Sequence, residues 1–247
     1  MTLQLTRQTL LVAEHEIVFG LPASQDQLLQ EAICRENSGS SDWDPYWGSL
    51  WETAPRMAAI ILRQAWPSCL KTLELGCGLG VTGIAALIAG HDVTFSDHAS
   101  AAVDLAVSNA ALNGFADTIG MVFDWQHPPT HTFDFIIASD VLYDEASHEP
   151  LLRTLQAMLN NHGVVWIGDP GRANALRFAE LAARNDWCVE SLDEFTQSCP
   201  RPAHTKFCLL AMRRSTAQTP ACSAIAVNQR FAESASADSI QCRLPQA

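Results

Sequence analysis

The string "LELGCGLGVTG", Leu73 to Gly83, places Gly76, Gly78 and Gly80 immediately behind an acidic residue, Glu74. Glycines at a strand-to-helix turn let the backbone approach a ligand closely, because no Cβ stands in the way. Read from Gly78, the string also satisfies GxGxxG through Gly80 and Gly83, so a nicotinamide dinucleotide fits the pattern as well as S-adenosylmethionine (SAM) does. Further carboxylates bear on the choice. Glu74 lies inside the apolar strand, two residues before Gly76; a carboxylate there suits the cationic amino group of SAM and repels a pyrophosphate. Asp97 ends "DVTFSD", about 20 residues after the glycines, where a carboxylate accepts hydrogen bonds from the ribose hydroxyls of either ligand. Asp124 and Trp125 end the next apolar run, where an acid can accept from an adenine amino group while an indole covers the ring. Singly, these residues read equally well as a surface carboxylate, a helix cap and a core indole. Their coincidence at consecutive strand ends around a glycine loop favours SAM.

A second constellation is "FDFIIASDVLY", which delivers Asp140 and Tyr143 just past a strand. Methyl transfer to an amine needs an acceptor that orients a neutral nitrogen and an aromatic wall that steadies developing charge. An isolated Asp and Tyr would be a turn residue and a packed amphipathic edge; after a SAM-type domain the chemical reading is the better one. Trp43, Trp47 and Trp51 recur every four residues, a spacing that more often marks one packed helical face than a ligand box. Pro45 interrupts a helix there. "GDPGR", Asp169 to Arg172, reads as a structural turn. The eight histidines are scattered and form no hydrolytic pairing; His98 reads as a helix-start residue beside the cofactor edge.

These residues need a frame. The runs "KTLELG", "DVTFSD", "GMVFDW", "FDFIIASD" and "GVVWIGD" read as strands. They alternate with helical patterns in "VTGIAALIAG", "AAVDLAVSNAALNG", "SHEPLLRTLQAMLNN" and "ANALRFAELAARND", which specifies a parallel, doubly wound sheet. "WCVESLDEF" and "KFCLLAMRR" follow with only "TQSCPRPAHT" between them. That gap is too short for a helical crossover, so the pair is predicted antiparallel. The expected fold class is α/β: a doubly wound, mostly parallel sheet of seven strands, the Rossmann-like layout of class I methyltransferases. A hairpin over "TLLVAEHEIVFG" and a helix over "QDQLLQEAICRE" form a short N-terminal extension, residues 1–42. The catalytic domain is expected over 43–214, and the Ser-, Ala- and Gln-rich tail 215–247 is expected to be poorly ordered.

Composition narrows the function classes. Net charge is −12, with 15 Lys and Arg in 247 residues, which argues against a nucleic-acid binder, whose phosphate contacts need clustered cations. The eight cysteines show no CxxC pair and no regular spacing, so neither a zinc site nor a disulfide framework is expected. No stretch approaches the roughly 20 apolar residues of a membrane span. A cytoplasmic protein is expected.

The segments "PYWGSLWETAPRMAAIIL", "LELGCGLGVTGIAAL", "SNAALNG", "IASDVLY" and "IGDPGR" occur in an order that resembles the seven-strand protein-lysine methyltransferases, the group called methyltransferase family 16. The likeness covers residues 43 to 190. "GDPGR" is similar to the branch acting on the β-subunit of electron-transfer flavoprotein, whereas "ETA" after Trp51 departs from that branch's Pro-Gly-Gly type turn. The resemblance implies that Asp140 and Tyr143 form the family's Asp-x-x-Tyr signature, that Trp51 lies close to SAM, and that the acceptor is a protein lysine. The candidate set is therefore Asp140 and Tyr143 for catalysis, with Trp51, Glu74, Gly76, Gly78, Gly80, Asp97, Asp124, Trp125 and Ser139 for the cofactor, and no metal. Rival readings are methylation of a small-molecule amine or pyridine, an NAD-dependent oxidoreductase, and a binding module without turnover.

Overall fold

In a computed structural model, residues 4–24, 28, 45–199 and 206–215 are described. The apolar runs form one seven-stranded sheet: β3 (Lys71–Leu75), β4 (Asp92–Asp97), β5 (Ile119–Val122), β6 (Phe133–Ser139), β7 (Leu159–Asp169), β8 (Trp187–Leu192) and β9 (Cys208–Arg214). Their order is β5-β4-β3-β6-β7-β9-β8. The first five are parallel, and β9 runs antiparallel to both β7 and β8. The predicted antiparallel pair is present; the last strand also inserts between β7 and β8.

Helices cover both faces, as a parallel sheet requires. Along β6, Phe135 and Ile137 face the core shared with α1 (Thr53–Arg63), α2 (Val81–Ile88) and α3 (Ser100–Leu112), while Ile136 and Ala138 face α4 (His148–Met158) and α5 (Ala173–Arg184). This two-residue alternation divides one strand between two cores.

Two elements end elsewhere than their patterns predict. Leu159 extends the apolar spacing of α4 from Leu155, yet the helix stops at Met158 and Leu159 opens β7 by pairing with Phe133. Asn160 Nδ2 donates to Asp134 Oδ1 at 2.6 Å and fixes that register. At β5, the strand closes at Val122, and the Phe123 N–H donates to the Asp97 carbonyl at 3.2 Å. Asp124 and Trp125 therefore lie beyond the strand.

The N-terminal hairpin is longer than read, with β1 (Leu5–Val12) paired to β2 (His15–Pro22). Its two-residue turn puts Ala13 and Glu14 at φ 46° and 68°, the positive values such turns require. The hairpin docks on α3 through two asparagines one turn apart. Asn109 accepts from the Gly20 N–H at 2.7 Å and donates to the Gly20 carbonyl at 3.1 Å. Asn113 does the same with Val18, at 2.9 and 2.6 Å. Each carboxamide acts as a peptide group and satisfies the strand's edge. Asn109 also donates to the Leu79 carbonyl at 2.9 Å, which ties the hairpin to the glycine loop.

The helix read over 25–36, the connector after it, Trp43 and the tail from 216 onward lie outside the described residues, apart from a fully buried Leu28. Against the expectation of no disulfide framework, Cys69 and Cys188 each take part in a disulfide, whereas Cys77, Cys199 and Cys208 are free. Irregular spacing in sequence does not forbid a pairing that folding brings within reach. Among the described residues, no helix is long and apolar enough to cross a membrane.

Candidate active site

Strand order reverses between β3 and β6, and ligands bind beyond the carboxyl ends of strands at such a switch point. A cleft of about 420 Å³ opens there, within the ~300–1,000 Å³ usual for small-molecule sites. Ten of the eleven residues singled out from the sequence line it: Trp51, Glu74, Gly76, Gly78, Asp97, Asp124, Trp125, Ser139, Asp140 and Tyr143. Gly80 does not. It stands at the N-cap of α2 with φ 78°, and a Cβ there would lie 2.9 Å from the Ala106 Cβ. Its task is to turn the chain and let α2 pack on α3. Gly78, at φ 47°, meets the Trp47 carbonyl, which a Cβ would approach to 2.9 Å. The lead-in segment thus sits directly on the loop.

Glu74 points from β3 beneath the loop and is 2% exposed. Its Oε2 accepts from the Gly83 N–H at 3.0 Å. Gly83, the third glycine of the dinucleotide pattern, is thereby occupied with a carboxylate. Burial pushes the Glu74 pKa up to about 8; the Gly83 and Thr82 hydrogen bonds oppose the rise and the Asp97 charge adds to it. Near neutral pH the ligand-free side chain is mostly protonated, which reading a carboxylate from sequence could not foresee. Asp97 also braces the loop, accepting from the Gly78 N–H at 3.2 Å through Oδ2 and from the Ala99 N–H at 3.0 Å through Oδ1. His98 lines the cleft beside it, with Nδ1 3.2 Å from Asp97 Oδ1; α3 begins only at Ser100.

Asp124 is exposed and accepts from the Gln126 N–H at 2.9 Å. Trp125 is held by its carbonyl, which accepts from Thr154 Oγ1 at 2.9 Å, and its ring edge passes 3.8 Å from where a Gly76 Cβ would be. Ser139 Oγ lies 3.4 Å from Thr82 Oγ1. Trp47 is buried and lines the cleft in a 3-10 turn over Pro45–Gly48. Trp51 is partly exposed, donating from Nε1 to the Tyr46 carbonyl at 3.0 Å with its ring edge-on to Tyr46. Trp47 and Trp51 therefore do not share one helical face: α1 starts only at Thr53.

Across the cleft, Asp140 leaves β6 with φ 61°, a left-handed conformation that costs a non-glycine residue about 1–3 kcal/mol. Its N–H donates to the Gly168 carbonyl at 3.0 Å. Asp140 Oδ1 pairs with Arg172 Nη2 at 2.8 Å, while Oδ2 is buried without a hydrogen-bond partner. Arg172 Nη1 reaches Asp169 Oδ2 at 3.0 Å. Burial works to lower the Arg172 pKa, but Asp169 and Asp140 together raise it above the usual value. Arg172 was legible in sequence only as the end of a turn. Its partner lies 32 positions earlier, and only the adjacency of β6 and β7 joins them.

Residues 47–180 match the family described as lysine methyltransferase. The electron transfer flavoprotein beta subunit lysine methyltransferase of Danio rerio is 35% identical over 133 residues, 53% of this chain and 52% of that protein. The EEF1A lysine methyltransferase 3 of Mus musculus is 31% identical over 109 residues, 42% of this chain and 46% of that protein. The chain spans about half the length of the curated relatives it matches. Among solved structures, a TehB-like SAM-dependent methyltransferase from Corynebacterium glutamicum superposes with TM-score 0.55 at 22% identity, covering 78% of this chain and all of that one. That likeness establishes the class I methyltransferase fold.

Proposed function

The chain belongs to the lysine methyltransferase family, and from that premise we propose that it transfers a methyl group from SAM to the ε-amine of a lysine in a protein substrate. One observation carries the reading: Glu74, Asp97 and Asp140 line a single cleft at the switch point, with Gly76 and Gly78 between them. SAM, when bound, supplies an electrophilic methyl on a sulfonium. The residues present suit it. Glu74 would hold the ammonium group of SAM, giving up to solvent the proton that burial retains so that the buried site carries a paired charge. Asp97 offers carboxylate oxygens to a ribose, and Trp125 beside Gly76 offers a flat apolar face.

Asp140 Oδ2 is the acceptor for the amine. Accepting from an amine N–H, it aims the nitrogen lone pair along the line of displacement. The nitrogen–carbon bond forms as the sulfur–carbon bond breaks, and the amine's surplus proton leaves to solvent. Tyr143 supplies the aromatic wall. Tyr46, Trp51 and Tyr143 are 57%, 41% and 53% exposed at the mouth, which supports a side chain entering from a larger molecule over a sealed small-molecule pocket.

The test begins with calorimetry against SAM and NAD, where heat with SAM alone is expected. Labelled SAM is then incubated with the protein and, separately, with electron-transfer flavoprotein β-subunit, EEF1A and a whole lysate. Mass spectrometry should place the label on lysine. Absence of SAM binding, or label confined to small molecules, overturns the reading.

A further inference from the structure

Among the described residues lining the cleft, Arg172 is the only lysine or arginine. It pairs with Asp140, and the other ionisable side chains lining the same cleft are Asp144 after β6, Glu74 from β3, Asp97 and His98 at the end of β4, Asp124 beyond β5, and the phenols of Tyr46 and Tyr143. We propose that Arg172 is a positioning residue for methyl transfer: it fixes one oxygen of Asp140 so that the other meets the amine, and it neutralises charge that would keep that amine protonated. The inference rests on the methyl-transfer reading above.

The anchoring runs inward from a fixed point. Asp169, fully buried at the end of β7, accepts through Oδ1 from the Gly171 N–H at 2.8 Å and the Arg172 N–H at 2.6 Å. Its second oxygen holds Arg172 Nη1 at 3.0 Å, and Arg172 Nη2 holds Asp140 Oδ1 at 2.8 Å. A guanidinium is a planar fork and can grip two carboxylates in a set geometry; an ammonium is a point charge and cannot. Buried polar atoms are almost always paired. Asp140 Oδ2 is left unpaired in a cleft-lining residue whose backbone is held at positive φ. The geometry fits a carboxylate held through one oxygen, with the hydrogen-bonding capacity of the other left unused in a residue that lines the cleft.

The electrostatic half follows from the lining. Without Arg172, no described side chain lining the cleft carries a permanent positive charge and Asp140 loses its counter-ion, and nearby carboxylates favour the protonated amine. The protonated form has no lone pair and cannot accept a methyl group.

Arg172→Gln and Arg172→Lys separate the two halves. The full-length chain is assayed at saturating SAM from pH 6.5 to 10 with whichever protein the wild type labels. SAM affinity and melting temperature are measured on the same samples. For Arg172→Gln, SAM affinity should stay within about threefold while kcat at pH 7.5 falls by about 30-fold or more, and the pH of half-maximal rate should move up by about one unit. Arg172→Lys should restore the pH profile but recover only part of the rate. Wild-type kcat and profile in Arg172→Gln overturn the proposal. So does a loss that is uniform with pH and matched by lost SAM affinity, which marks a structural role. If Arg172→Gln does not fold, Arg172→Lys decides: a folded lysine variant at the full wild-type rate overturns it. A wild type that labels no protein defeats the functional reading instead.

Discussion

Replacing Glu74 by glutamine should make the ligand-free protein more stable and the cofactor site worse. Glutamine keeps the shape and can still accept from the Gly83 N–H that Glu74 now holds at 3.0 Å, but it has no proton to lose. Burial raises the Glu74 pKa from 4.5 to about 8. Between those values the folded chain keeps a proton that the unfolded chain has released, so the acid's contribution to stability falls as pH rises through that window. At about 1.4 kcal/mol per pKa unit, the wild type loses roughly 4 kcal/mol by pH 8 relative to Glu74→Gln. For a domain of this size that is a difference in melting temperature of about 10 °C. Ligand-free melting curves from pH 5 to 8.5 should therefore be close at the acid end and diverge toward the alkaline end, with the variant melting higher. Titrated with SAM at pH 8, the same variant should bind at least about tenfold more weakly, having lost the charge that pairs with the ammonium. Parallel melting profiles would refute the assigned protonation. Unchanged SAM affinity would remove Glu74 from the cofactor site.

With Glu74 as the proposed partner of the SAM ammonium, SAM affinity should rise with pH toward 8, and calorimetry in buffers of different ionisation enthalpy should detect release of up to about one proton near pH 7. Asp140→Asn should keep SAM affinity and lose methyl transfer by about 100-fold or more, read by single-turnover labelling; wild-type transfer would remove Asp140 from its role. Asn109→Ala, which unties Gly20 and Leu79 together, should cost about 2 kcal/mol in denaturant unfolding and expose the hairpin to limited proteolysis. His91 is buried and its pKa is lowered to about 4 by burial. It stays neutral in the fold while the unfolded side chain takes up a proton, so stability should fall as pH drops from 6.5 toward 4. His91→Phe should flatten that loss by about 3 kcal/mol.

Periodicity and turn chemistry are local, and what depends on them alone was legible in the amino-acid order. Alternating apolar runs and helical spacings gave the parallel sheet, the short gap before Cys208 gave its antiparallel end, and the string from Leu73 to Gly83 gave the loop at its mouth. The end of α4 was misread because Leu159 satisfies a helical period and a strand pairing alike, and only Phe133 across the ladder decides between them. Burial and pairing across strands are not local. Gly80 shares a pattern with Gly76 and Gly78, yet the packing of α2 on α3 takes it out of the cleft. A glutamate letter carries no pKa; enclosure beneath the loop sets that of Glu74. Asp140 and Arg172 stand 32 residues apart and become one unit because β6 and β7 are neighbours. The order of residues thus determined which groups arrive at the strand ends, and the tertiary structure decided their protonation and partners, because desolvation and Coulomb attraction depend on distance in space rather than along the chain.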